Sequence, residues 1–160
     1  MHQNFLFAEY RIEINGIYWT KVQLTQALFD YRITLRLDTM SDRKNIYIVD
    51  DDQPVRKALQ RLLTSVGYDV ETYASSQEFL DSVPEESDGC LILDVRMPGL
   101  NGLGLQSKLA GMNYKLPIIF ITAYDNPRDR KQAMDAGAIA FLRKPFSDQE
   151  LLDAIQLALN

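Results

Sequence analysis

Four unbroken apolar runs recur at intervals along the chain: Ile46-Tyr47-Ile48-Val49, Cys90-Leu91-Ile92-Leu93, Ile118-Ile119-Phe120-Ile121 and Ile139-Ala140-Phe141-Leu142. Runs without polar alternation are the mark of strands covered on both faces, as in a parallel sheet. A further run, Tyr68 to Tyr73, alternates in part and reads as an edge strand. Helical signals fill the gaps. Pro54 suits a first helical turn, and Val55, Ala58, Leu59, Leu62, Leu63 and Val66 form an apolar stripe that Gly67 ends. Ser75-Ser76-Gln77-Glu78 has the capping-box pattern and opens a helix to about Ser82; another runs from about Gly102 to Met112. Asn126-Pro127 starts a helix that Gly137 closes, and Ser147-Asp148-Gln149-Glu150 is a second capping box before a last helix reaching nearly to Asn160. Five strands alternating with five helices predict a doubly wound, five-stranded parallel α/β sheet with right-handed crossovers.

Residues 1–39 follow a different pattern and are set apart as an N-terminal appendage of unknown role, with residues 40–160 as the main domain. They hold none of the six prolines but seven of the sixteen aromatics, which argues against plain disorder. Asn15-Gly16 is a hairpin turn signal between Phe5-Leu6-Phe7 and Tyr18-Trp19, and Leu24, Leu28 and Tyr31 lie at helical spacing between Thr20 and about Arg32. Met40-Ser41-Asp42 looks like a second natural beginning, so the first 39 residues could be an upstream extension of the reading frame.

Composition narrows the function. A net charge of -5 disfavours direct binding to DNA. No apolar run approaches ~18 residues and no leader pattern opens the chain, so a cytoplasmic protein without a membrane partner is expected. The single cysteine, Cys90, lies inside an apolar run and reads as a core thiol; the single histidine, His2, has no visible ligand partner.

Chemistry gathers where the apolar runs stop. The first ends in Asp50-Asp51-Asp52, the second in Asp94, the third in Thr122, and the fourth leads through Arg143 to Lys144. In a parallel sheet these ends share one edge, where ligands bind in open α/β folds. Two carboxylates ~4 Å apart repel by roughly 4 kcal/mol at an effective dielectric of ~20, so the cluster needs positive charge. Lys144 supplies one, and an all-oxygen donor set favours Mg²⁺ over zinc for the other. Taken alone, the acidic triplet could simply complement a helix N-terminus, Thr122 could be a strand-end hydroxyl and Lys144 a solvated charge. Four matched positions on four strand ends favour a joint role.

The segment from Ile46 to Asn160 resembles the receiver domain of two-component response regulators, and is most similar to the FixJ type. The matching pieces are Ile-Val-Asp-Asp-Asp-Gln-Pro-Val-Arg (48–56), Leu-Asp-Val-Arg-Met-Pro-Gly-Leu-Asn-Gly (93–102), Ile-Thr-Ala-Tyr (121–124) and Gly-Ala-Ile-Ala-Phe-Leu-Arg-Lys-Pro-Phe (137–146). The resemblance implies a flavodoxin-like strand order, 2-1-3-4-5. It implies that Asp94 accepts a phosphoryl group from a sensor histidine kinase or a phosphotransfer protein. Asp50, Asp51 and Asp94 would hold Mg²⁺, Asp50 largely through water, with the backbone carbonyl of Arg96. Thr122 and Lys144 would contact the phosphoryl group, and Phe141 would be the switch aromatic, rotating into space near Thr122. The Lys144-Pro145 bond would be cis. The moving face would be the fourth helix, fifth strand and fifth helix, where the resemblance also allows a homodimer and an unknown downstream protein to bind. Such a domain is a signalling switch rather than an enzyme.

Two other readings compete. Asp50-x-Asp52 after a strand also fits the nucleophile motif of haloacid-dehalogenase-like phosphatases, which leaves Asp94-Val-Arg-Met-Pro-Gly without a role. A pseudo-receiver that only binds partners would usually lack one of the acids or the lysine, and none is missing. The chain stops after the fifth helix, so a receiver standing alone or cut from a longer protein is expected, with no DNA-binding domain of its own.

Overall fold

The computed structural model describes residues 11–14, 17–20, 23, 25–30 and 43–160. By packing the chain divides into two compact units, Met1–Asp42 and Arg43–Asn160. In the first, β1 (Arg11–Ile14) and β2 (Ile17–Thr20) pair antiparallel with Ile14 opposite Ile17, so two residues connect them. That is the expected hairpin register. Its proposed outer arm at Phe5-Leu6-Phe7 lies outside the described residues. Residues 25–30 are helical, with Leu28 and Phe29 both exposed. Leu24 and Tyr31, the other positions of that apolar spacing, lie outside the described residues.

The second unit alternates strand and helix throughout: β3 (Asn45–Val49), α1 (Gln53–Ser65), β4 (Asp69–Tyr73), α2 (Ser76–Ser82), β5 (Cys90–Asp94), α3 (Gly102–Ala110), β6 (Ile118–Thr122), α4 (Pro127–Asp135), β7 (Ala140–Arg143) and α5 (Asp148–Leu159). The strands form one parallel sheet in the order β4-β3-β5-β6-β7. This is the doubly wound, flavodoxin-like order that the pattern and the resemblance led us to expect. Successive side chains on a strand face opposite ways, so each strand feeds two cores. Ile46, Ile48, Ile92, Ile119 and Ile121 pack with Leu59 and Leu63 of α1 and Leu151 and Ile155 of α5. Tyr47, Val49, Leu91, Leu93 and Phe120 pack with Phe79 of α2, Leu105 and Leu109 of α3 and Ala133 of α4. β5 and β6 are buried at every position, whereas β4 alternates, as the edge position of β4 requires.

The apolar stripe of α1 is narrower than its spacing predicts: Ala58 is exposed, and Val66 is the C-cap, past the last helical turn, and also exposed. Only the box at Ser147 is reciprocal, with Glu150 accepting from the Ser147 backbone. Ser75 accepts from Glu78 N–H as expected, yet the Glu78 carboxylate takes the N–H of Ala74 instead. α3 ends at Ala110, before the expected Met112, because Gly111 caps it.

Candidate functional site

The parallel register brings the strand ends to one edge. Val49 lies beside Leu93, Asp94 beside Ile121 and Thr122 beside Arg143, so Asp50, Asp94, Thr122 and Lys144 emerge together. Asp50 is fully buried. One carboxylate oxygen accepts from the backbone N–H of Asp52 at 2.8 Å and the other from Lys144 Nζ at 2.6 Å. Its backbone carbonyl accepts from Arg56 Nη1 at 2.6 Å, which ties the acidic turn to α1. Asp94, 5 % exposed, has Lys144 Nζ 3.4 Å from Oδ1. Asp51 is exposed at the rim. Among the described residues, Asp50, Asp51 and Asp94 are the group of acids that converges, with one oxygen from each lying within 4.8 Å of the others.

Electrostatics sets the character of this nest. Burial, and next the charge of Asp50, push the Asp94 carboxyl up to about 6 against the pull of Lys144. For Lys144, burial opposes its charge, but the hydrogen bond to Asp50 and the charges of Asp94 and Asp50 prevail and hold the ammonium above its ordinary value. Three carboxylates facing one ammonium leave a surplus of two negative charges. Such a donor set, all oxygen and net negative, fits a hard divalent cation.

Chain geometry keeps the site open and aimed. Gly102, at the start of α3, approaches the end of β5 so closely that a Cβ there would lie 2.2 Å from the Asp94 carbonyl oxygen. Ser76 Oγ donates to the Leu100 carbonyl at 2.8 Å and ties the loop before α3 to the start of α2. The Lys144–Pro145 peptide is cis, as expected, and Lys144 N–H donates to the Thr122 carbonyl at 2.8 Å.

A family pattern described as the response regulator receiver domain matches residues 46–156, which span both the sheet and the acidic edge. The chain belongs to that family. Among the most similar curated proteins, nodulation protein W of Bradyrhizobium diazoefficiens is 43% identical over 81% of this chain and 57% of its own length. The response regulator TodT of Pseudomonas putida is 46% identical over 76% of this chain and 54% of its own. The crystal structure of FixJ-N superimposes with a TM-score of 0.69 at 36% identity, covering 74% of this chain and 94% of that one. The chain thus spans about half the length of the curated relatives it matches. As a receiver it carries a signalling-switch fold.

Thr122, Phe141 and Arg96, the other residues that the resemblance names, make the following contacts. Thr122 is buried, and its hydroxyl donates to the Tyr124 carbonyl at 2.9 Å while accepting from Tyr124 N–H at 3.1 Å. Phe141 is already buried, its ring tilted against Phe120 with centroids 6.0 Å apart. Any change in that ring is therefore a repacking rather than a swing out of solvent. Arg96 is exposed, and its guanidinium reaches Asp129 of α4 at 3.1 Å; Arg96 also lines a cleft of about 690 Å³ with Ala123 to Pro127 and Arg143. Asp52, the second acid of the Asp50-x-Asp52 pattern that the phosphatase reading rests on, is exposed and caps α1 by accepting from Val55 N–H. Sequence reasoning missed Arg56 and Arg130. An arginine on a helix carries no sign of which distant backbone carbonyl it will reach.

Proposed function

We propose that this receiver accepts a phosphoryl group on Asp94 from a sensor histidine kinase or a phosphotransfer protein, in the cytoplasm. The observation that carries the reading is the meeting of Asp94, Asp50 and Lys144: one buried, crowded carboxylate with an ammonium beside it and a second acid holding that ammonium. In the step itself an ionised Asp94 oxygen attacks the phosphorus of a phosphohistidine. The P–N bond breaks, its electron pair returns to the imidazole, and an acyl phosphate remains. Lys144, released in part from Asp94, neutralises charge on the phosphoryl oxygens. Asp50, Asp51 and Asp94, with the Arg96 carbonyl, are the groups that would hold Mg²⁺, whose chemistry when bound is to offset that same charge.

Signal output then follows from the new charge at Asp94. The Thr122 hydroxyl leaves Tyr124 and donates to a phosphoryl oxygen, drawing in the loop before α4. Phe141 repacks in response, and the face made of α4, β7 and α5 shifts between two arrangements. That face would meet a downstream protein or a second copy of the chain. Exposure to acetyl phosphate and Mg²⁺, followed by intact mass measurement, tests the reading. One phosphoryl group is expected on the wild-type chain and none on Asp94→Asn. Uptake that survives in Asp94→Asn but is lost in Asp50→Asn would instead favour a phosphatase of the dehalogenase type.

A further inference from the structure

The switch elements are joined by one side chain that the phosphoacceptor reading does not use. Arg130 lies in the first turns of α4, and all three of its guanidinium nitrogens are engaged. Nε and Nη2 donate to the two carboxylate oxygens of Asp125 at 3.1 and 2.9 Å. Nη1 donates to the backbone carbonyl of Phe141 at 3.0 Å. The same group lies over the Phe141 ring, with Cζ 4.8 Å from the centroid. Arg130 is partly exposed whereas Phe141 is buried, so the guanidinium forms the outer cover of the ring.

These contacts link two places that have to move together. Asp125 directly follows Tyr124, whose backbone occupies the Thr122 hydroxyl from both sides. Through Asp125 the loop after Thr122 is fixed to α4, and through the Phe141 carbonyl and ring α4 is fixed to β7. A planar fork can bind a carboxylate with two donors and stack on an aromatic face at once, which a lysine ammonium cannot do. A Thr122 hydroxyl turned to its own loop is one not donating to a phosphoryl group. The clasp therefore belongs to the arrangement of the domain without phosphate.

We propose that Arg130 is a positioning residue of the switch, holding Phe141 and the Thr122 loop in the phosphate-free arrangement by its fork on Asp125 and its cover of the ring. The proposal rests on the phosphoacceptor reading. Opening the clasp removes stabilisation from one of two arrangements, so a ligand that selects the other binds more tightly.

The test is calorimetric titration of the whole 160-residue chain with beryllium fluoride, a mimic of an acyl phosphoryl group, in the presence of Mg²⁺. Arg130→Ala should tighten binding by about fivefold, at the lower end of ordinary coupling between sites. Asp125→Asn should tighten it in the same direction by less, because the ring keeps its cover. Arg130→Lys should resemble the alanine variant, since the fork is lost. In a Phe141→Ala background, Arg130→Ala should tighten binding by less, because only the Asp125 fork and the backbone contact remain to be lost. An affinity that is unchanged or weaker in Arg130→Ala overturns the clasp, as does an equal gain with and without Phe141. A wild-type chain that takes no beryllium fluoride overturns the phosphoacceptor reading and the clasp with it. Wild-type binding that Arg130→Ala merely matches overturns the clasp alone.

Discussion

The middle of the sheet and its site edge are built from the same strands but on opposite principles. Along β5 and β6 every side chain is buried among apolar neighbours, and all contacts favour the same packing. At the C-terminal ends of β3, β5 and β6 the buried groups are Asp50, Asp94 and Thr122, and two of them repel each other. The middle carries stability, while the edge gives some of it up to keep a carboxylate ready for chemistry. Substitutions at the two places should therefore differ in sign as well as size.

The largest loss is expected in the apolar core that α2 forms on the sheet. Phe79 is fully buried and packs edge-on against Tyr47 and Tyr73. Phe79→Ala should lower unfolding free energy by about 3–5 kcal/mol in urea titrations, through lost burial and the cavity left behind. Next comes the steric boundary between the two regions, at Gly102. Gly102→Ala places a methyl group against the Asp94 carbonyl and should cost about 1–3 kcal/mol by the same assay. Because the displaced group is the phosphoacceptor's own backbone, that variant should also take up phosphate from acetyl phosphate more slowly.

At the edge the sign reverses. An acid whose pKa is raised in the folded chain holds its proton more tightly there than in the unfolded chain. Its contribution therefore favours folding at low pH and fades as pH rises from 3.8 to about 6. In EDTA at pH 8, Asp94→Asn should be more stable than wild type by about 3 kcal/mol, with the difference shrinking towards zero near pH 4. An Asp94→Asn variant less stable than wild type at pH 8 would erase the contrast between the regions. The smallest effect belongs to neither region. Lys131 and Asp135 form an exposed pair four residues apart on α4, and Lys131→Ala should change stability by about 0.5 kcal/mol or less.

This contrast also explains what could be read from the chain beforehand. The middle was legible because unbroken apolar runs such as Cys90 to Leu93 admit few other interpretations, and Pro54, Asn126 and Gly137 mark helix ends by backbone rules that act locally. Asp50, Asp94, Thr122 and Lys144 were legible because each directly follows a run or lies within two residues of its end. The parallel register then does the rest. Arg130 and Arg56 were not legible, since their partners, the carbonyls of Phe141 and Asp50, are chosen by how helices settle on the sheet. Nor did apolar spacing distinguish Ala58 and Val66 from Leu59 and Leu63, because a stripe's width depends on how much of the helix the sheet covers.

The central claim is that the Asp94 carboxylate is held under electrostatic pressure, which positive charge relieves. Following its carboxyl carbon by NMR through a pH titration, first in EDTA and then with Mg²⁺, tests this most directly. We expect a midpoint near 6 without metal and a clear fall when Mg²⁺ is added. A midpoint near 3.8 without metal, or one that Mg²⁺ leaves in place, would contradict it.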